Sequence, residues 1–595
     1  MSQSVYFNGE LITIPGAYST TDTSLMATKS DNAGAKIIAF VGESEGGEPG
    51  VVQFFDEPTA AKSVLKSGDL LKACEKAWNP VSKTKEGVKL GGANMIACIR
   101  SNKATKSSYS VFKSEEDKTN EKPQLTFGSK DWGENTSYQI KMADGSLNGT
   151  KKLVIYDQST GKYETIDNIG NTFTINYTGD QKYAEFNVYL DGDKSMYFQT
   201  KVGEDAGTAQ EDIKIKLDPR VYKNIRALIL ELQSYENYVV SSLNPYNTKL
   251  KVTDLDLVSK VDIKLESGDN AHRVTAIYAD LQSKLKDVSK LIELTQFDKT
   301  KGEIANFDYA TMTGGSKGTT PASWVEYFDA LSNFDIFYIV PLTADISIHA
   351  ELASHIQSMS GTLGKERRGV VGGLNHETVA DTLARARDFA SDRIQVVHGG
   401  FYDYNSDNEL ELYPPYILAA QHAGRAAFLD DGEAATHDVY RMTAPEYQLE
   451  RDEIKQLLAG GCLAFEFVLA KNSTNQSYVR LVQDLTTDTT STDSVHTERA
   501  TGALADSINK EIREKLDDLL TGKRTTGTDL TSAKNRVISI LRERKDQKHH
   551  IVDYKDVYVS KSGTVTTVDY SVAPAEPNNF TLITAHFYSE TISAE

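Results

Sequence analysis

Cysteine is nearly absent from this chain. Cys74, Cys98 and Cys462 are the whole set in 595 residues, and no CxxC spacing exists. Zinc and dithiol redox chemistry are therefore weakly supported, and an odd, sparse set fits free thiols in a reducing compartment. Positive charge is in deficit. Lys and Arg number 65 against 84 Asp and Glu, a formal net charge of −19. A phosphate-binding surface wants the opposite balance, so nucleic acid is not expected as the main partner. No run approaches the ~20 apolar residues of a membrane span. The stretch Met1-Ser2-Gln3-Ser4-Val5-Tyr6-Phe7 has neither a basic region nor an apolar core, so it does not read as a signal peptide. A soluble protein made in a cytoplasm is expected. No P-loop is present: Gly361-Thr362-Leu363-Gly364-Lys365 lacks both the spacing and the Ser/Thr. No GxGxxG follows a strand, so a nucleotide-driven motor is poorly supported. No fixed-period repeat exists, which excludes a solenoid.

What is there is an ordinary globular balance, 25% charged and 39% hydrophobic. The length suggests roughly four domains. Tyr is abundant at 29, and its apolar ring and polar hydroxyl suit surface contact. Residues 1–20 read as an extended arm ended by Pro15-Gly16. Residues 21–102 read strand, helix, strand, with a helix from Thr59 to Trp78. From 103 to 305 the chain turns polar, with short alternating strands such as Lys151–Tyr156 and Ala184–Leu190, the signature of a β-rich insertion. One helix is expected there, from Asp218 to about Tyr238. Strand–helix alternation resumes over 306–400, with strands at Asp335–Pro341, Arg368–Gly373 and Arg393–Val397. That alternation predicts a mainly parallel sheet with helices on both faces, split by the insertion. Residues 401–573 read as an α+β C-terminal domain. It holds helix 415–429, an amphipathic helix around Ile508, Ile512, Leu516 and Leu520, helix 531–547, and a hairpin from Tyr554 to Val572. Pro574 and Pro577 then isolate a last strand, Phe580–Tyr588, in a C-terminal arm of 574–595.

The order of short motifs carries more than any one of them. Ile14-Pro15-Gly16-Ala17-Tyr18 precedes the strand Lys36–Gly42. The turn Glu45-Gly46-Gly47-Glu48-Pro49-Gly50 follows it, and Gly91-Gly92-Ala93-Asn94 opens the next apolar run, Met95–Arg100. Farther on come Trp132-Gly133-Glu134-Asn135, then Gly314-Gly315-Ser316-Lys317-Gly318 before Phe334–Pro341. Last are Ala423-Gly424 with Ala427 and Asp430, and Val479–Thr486. This succession resembles the contractile-tail sheath proteins of bacteriophages, contractile bacteriocins and related injection systems. The resemblance covers most of 1–102 and 306–595, and nothing is carried over through 136–305.

The resemblance implies a subtilisin-like α/β core, a structural subunit and no catalysis or cofactor. It implies a helical homopolymer around a tail tube protein, in contact with baseplate and tail terminator proteins. The polymer would contract without nucleotide and drive the tube through a bacterial cell envelope, as part of a virion tail assembled in the host bacterial cytoplasm. It also implies terminal arms that add strands to neighbouring subunits. The donors would be Val5, Tyr6, Phe7, Leu11 and Ile12 at one end and Phe580, Leu582, Ile583 and Phe587 at the other. The acceptor would be the hairpin bearing Val557, Val559, Val565, Val568 and Tyr570.

Chemical alternatives are few. Gly42-Glu43-Ser44-Glu45-Gly46 matches the GxSxG nucleophile elbow, which would make Ser44 a serine-hydrolase nucleophile. A true elbow runs straight into a helix, whereas Gly47-Glu48-Pro49-Gly50 follows here. Glu43 and Glu45 would also set negative charge beside a developing oxyanion. Ser63-Val64-Leu65-Lys66 matches SxxK without its partner motifs. Asp403–Asp407 begins like a calcium loop, but Asn408 and Pro414 stand where Gly and a bidentate Glu are needed. His549-His550 lacks a third metal ligand. Lys534, Arg536, Arg542, Arg544, Lys545 and Lys548 make helix 531–548 locally basic. It reads either as a solvated face or as a surface for an acidic partner, with the inner tube as the expected one. A third class is a non-contractile virion structural protein whose terminal strands complete its own sheet.

Overall fold

The computed structural model describes residues 5–7, 10–12, 36–264, 272–361, 364–469 and 477–589. Two compact units form, one from 1–24 with 104–318 and the other from 25–103 with 319–595. The Pro15-Gly16 motif of the arm lies outside the described residues.

The second unit is built on a seven-stranded sheet. Its strands are β1 (Ile37–Gly42), β2 (Val52–Phe55), β3 (Ile96–Arg100), β4 (Ile336–Pro341), β5 (Arg368–Gly372), β6 (Ile394–Val397) and β7 (Cys462–Leu463), in the order β7-β6-β5-β4-β1-β3-β2. All neighbours are parallel except β2, which runs antiparallel to β3. Parallel sheets need both faces covered, and the parallel strands are accordingly buried and largely apolar. Ile38, Phe40, Cys98 and Val340 meet α1 (Asp69–Trp78) and α4 (Pro415–Phe428) on one face. Ala39, Val41, Ile99 and Val396 meet α2 (Ile346–Gly361) and α3 (Val379–Phe389) on the other. The expected helix from Thr59 to Trp78 is two helices, Pro58–Leu65 and α1. The break falls at Lys66 (φ 64°) and Gly68 (φ 99°), where Gly68 backs onto the Ser44 backbone.

No boundary separates 400 from 401 in this unit, because residues 401–463 supply α4 and β7 to the core layers. α4 lies close against α1. A Cβ on Gly424 would sit 2.3 Å from the Ala77 carbonyl oxygen and 2.6 Å from its Cα. Backbone cannot give way as a side-chain tip can. Gly424→Ala should therefore destabilise this unit by about 1–3 kcal/mol, the range for overpacking. Thermal unfolding of the variant measures this, and an unchanged midpoint would refute the close approach.

The other unit is antiparallel and β-rich. Besides the short pair 5–7/10–12, its sheets among the described residues order their strands 162–169/151–157/139–144/307–311, 238–242/171–177/272–275, 210–216/196–203/183–190/258–262 and 292–297/125–129/108–111. The inward residues alternate with outward ones, as in Leu153 and Ile155 or Phe186 and Val188, and fill two cores. The unit runs to 318 rather than 305 because Phe307–Thr311 pairs with Gln139–Asp144. The helix expected over 218–238 spans only Ile225–Leu232. Asn224 caps its start, accepting from the Ala227 amide at 3.1 Å.

Candidate assembly surface

The C-terminal part of the second unit is two helices and a hairpin. α5 (Arg499–Leu520) and α6 (Gly527–Asp546) precede β8 (Ile551–Ser562) and β9 (Val565–Pro574). A two-stranded sheet is marginal alone and needs a supporting face. Here Leu504, Ile508 and Ile512 of α5, Val537 and Leu541 of α6, and Ile551 and Val557 of β8 close one apolar cluster, with Val568, Tyr570 and Val572 half-buried against it. Of the expected acceptor residues, Val557 is buried, Val559, Val568 and Tyr570 are half-buried, and Val565 is 63% exposed. No third strand pairs with β8 or β9 among the described residues. An apolar groove of about 110 Å³ lies between α5 and β9, lined by Val495, Leu504, Ile508, Tyr570, Val572 and Pro574.

The chain leaves β9 along this surface. The Ala575 amide donates to the His550 carbonyl, the Ser494 hydroxyl donates to Glu576 at 2.7 Å, and the Asn579 amide group donates to Glu498. Among the described residues beyond Asn579 the contact is local, the Asn578 side-chain amide donating to the Thr581 hydroxyl at 3.2 Å. The strand expected at Phe580–Tyr588 is not a strand in the single chain; these residues form no regular element. A lone segment has no neighbour to pair its backbone groups. Phe580, Leu582, Ile583, Phe587 and Tyr588 are 79–96% exposed. At the other end, Val5–Phe7 pairs antiparallel with Glu10–Ile12, setting Val5 opposite Ile12 and Tyr6 opposite Leu11. The residues expected as N-terminal donors are thus strand-paired within the single chain, Phe7 opposite Glu10.

α6 does not present all its cations to solvent. Arg544 is buried and holds Asp431 at 3.1 Å and Glu511 at 2.7 Å, so it is a structural anchor of α6 and not a surface cation. Lys545 pairs with Asp553 at 2.8 Å, Lys548 pairs with Glu543 at 2.9 Å, and Lys534 lies 5.8 Å from the Tyr558 ring centre. Lys534, Arg536 and Arg542 are exposed.

Two buried carboxylates, Asp484 and Asp506, pair with arginines that fix α5 to the sheet. Asp484 accepts from Arg499 Nε at 2.8 Å, Gln395 Nε2 at 2.9 Å and the Ala435 amide at 3.0 Å, with His422 Nε2 3.4 Å away. Arg499 also donates to the Tyr338 hydroxyl of β4 and the Glu433 carbonyl. Burial alone would raise the Asp484 carboxyl, but Arg499 and His422 hold it far below the usual carboxylate range. One helical stretch on, Asp506 accepts from Arg368 at 2.9 Å and Arg393 at 2.8 Å. Arg499, Ala503 and Asp506 therefore make one buried stripe of α5 and Leu504, Ile508 and Ile512 another. The first docks on the α/β core and the second carries the hairpin. Sequence reasoning missed the first stripe. Its signal was charge recurring at i and i+7 beside an apolar face.

Ser44 has no catalytic setting. It is 1% exposed, its hydroxyl donates to the Gly46 carbonyl at 2.8 Å, and its amide donates to Asn102. Among the described residues no cluster of three or more His, Cys, Asp or Glu is arranged to hold a metal, and no helix is long and apolar enough to cross a membrane.

Comparison with known proteins agrees with this architecture. No family model matches the sequence. The tail sheath protein of Bacillus phage SP01 is 31% identical over 99% of this chain and 97% of its own length. The putative tail sheath protein of Enterococcus phage phiEF24C is 29% identical over 96% of each. The crystal structure of a sheath tail protein from Listeria innocua shares the fold at a TM-score of 0.54 and 13% identity, covering 93% of this chain and 94% of its own. The full-length likeness to the SP01 protein places this chain in the phage tail sheath protein family.

Proposed function

We propose that this subunit polymerises by strand addition and that the resulting sheath contracts around an inner tube. The observation that carries the reading is the segment Phe580–Tyr588. It exposes five large apolar side chains, while β9 has an unpaired edge beside an apolar groove. A strand from a second subunit would complete the sheet and bury those side chains, main-chain bonds giving affinity and alternate side chains giving register. In Phe580–Tyr588 each face of such a strand carries large apolar side chains, Phe580, Leu582 and Tyr588 on one and Ile583 and Phe587 on the other. The 5–12 hairpin would open to donate its strands in the same manner. Contacts of this heterologous kind do not close on themselves and so build a helical polymer.

The mainly parallel α/β core, the part likened to subtilisin-type folds, serves as a rigid body and not as an enzyme. Work comes from the lattice. An extended, kinetically trapped polymer passes to a denser one as rigid subunits rotate about their arms. Newly buried apolar surface supplies ~25 cal/mol per Å². Baseplate and terminator proteins would cap the ends, with assembly in the host cytoplasm. Electron microscopy of the purified full-length chain tests the reading. Hollow cylinders formed without nucleotide support it; closed shells or isolated trimers would favour a non-contractile structural protein.

The tube-facing surface is assigned to α6. Lys534, Arg542 and Lys545 lie on one side of that helix and would meet an acidic tube. Exposed ion pairs contribute only ~0–1 kcal/mol each and weaken with salt, so they guide assembly yet break ring by ring. Replacing these three residues with Glu should give sheaths that no longer assemble on tubes, read by co-sedimentation. Normal extended tails from the triple variant would leave the helix a solvated face.

A further inference from the structure

We propose that Cys74 and Cys98 are a disulfide-forming pair, reduced when the chain folds and closed by peroxide once the particle stands in an oxidising medium. The two are far apart in sequence and match no redox motif, yet α1 and β3 bring their sulfur atoms to 3.4 Å. Both side chains lie in the core between helix and sheet, 0% and 1% exposed. A bonded pair sits ~2.05 Å apart, so closure asks for an approach of ~1.4 Å. Each sulfur is the other's hydrogen-bond partner.

The medium changes during the life of a virion tail protein. Thiols stay reduced inside a cell and disulfides persist outside it. The chemistry balances with one peroxide. The Cys98 sulfur attacks one oxygen of hydrogen peroxide, which leaves a sulfenic acid and a water. The Cys74 sulfur then attacks the Cys98 sulfur, forms the S–S bond and releases a second water. The two sulfurs together lose two electrons and the peroxide gains them. Burial pushes the Cys74 thiol up. Closure is therefore slow, as befits a long-lived particle and not a signal. The product ties α1, which packs on α4, to β3, the strand beside the sheet's antiparallel edge. Cys462 is the internal comparison, since its sulfur lies against the Thr382 and Gly460 carbonyls, at 3.9 and 3.8 Å, and among the described residues meets no second cysteine.

The test uses the full chain, purified reduced, treated with hydrogen peroxide in native buffer or in urea, then alkylated and digested. The expected result in native buffer is a cross-linked pair of peptides holding Cys74 and Cys98, lighter by two hydrogen atoms, with Cys462 alkylated. Oxidised wild type should melt several degrees above reduced wild type, a gain that Cys98→Ser lacks. Three results would overturn the proposal: both cysteines fully alkylated, either one ending as a sulfinic acid, or a cross-link formed equally well in urea.

Discussion

A chain truncated after Asn579 is expected to fold normally and to build no cylinders. The described residues removed, 580–589, are all exposed in the single subunit. Phe580, Leu582, Ile583, Phe587 and Tyr588 are 79–96% exposed, so their loss should shift the unfolding midpoint by no more than a degree or two. Their loss to the polymer is of another size. Each large apolar side chain contributes about 1.5–3 kcal/mol when fully buried, and the strand brings main-chain hydrogen bonds as well. A ring loses this contribution at every subunit. Leu582→Asp with Phe587→Asp keeps the length and should fail in the same way. Light scattering and negative-stain microscopy read both variants, and cylinders of normal length from either would remove the C-terminal donor from the account.

Arg499→Ala should cause the largest loss of stability. The guanidinium is 1% exposed and is the main counter-charge of the equally buried Asp484. Removing it strands a carboxylate away from water, a change that costs about 3–5 kcal/mol. α5 would loosen from the sheet, and the groove and hairpin it carries would lose their fixed place. Denaturant unfolding monitored in the second unit should show the loss, and a double variant with Asp484→Asn should recover part of it. Acid should act on a related cluster. Burial favours protonation of Asp431, yet Lys36, Ser507 and Arg544 together hold its carboxyl at about 2. A folded pKa below the unfolded one contributes stability that is complete above pH ~4 and lost as pH falls. The loss should run from pH ~4 down to about 2 and be absent from Asp431→Asn.

The sheet strands were legible because a buried parallel strand leaves an uninterrupted apolar run. Ile37–Gly42, Ile336–Pro341 and Arg368–Gly372 fall within a residue or two of the expected ends. The helices of the second unit were legible from their apolar spacing, and α4 and α6 begin and end near the expected positions. The break at Lys66–Gly68 was hidden because helical periodicity continues across it, while a left-handed turn needs only local backbone. The 306–318 stretch was misjudged because its strand belongs by pairing, not by composition, to the β-rich unit. Arg544 was counted with the surface cations because charge composition does not say which side of a helix an Arg occupies; its partners Asp431 and Glu511 lie far off in sequence. The Phe580–Tyr588 strand was expected from β-forming residues, but such residues form a strand only beside another one. That dependence is what the proposed assembly uses.

The most direct measurement is a cryo-microscopy map of cylinders assembled from the full-length chain, traced through residues 574–589. The account predicts that Phe580–Tyr588 crosses to a neighbouring subunit and pairs as a strand with the free edge of β9, its side chains seated over Leu504, Ile508 and Val572. A map in which Phe580–Tyr588 folds back on its own subunit, or hangs free while the cylinders hold together, would contradict it.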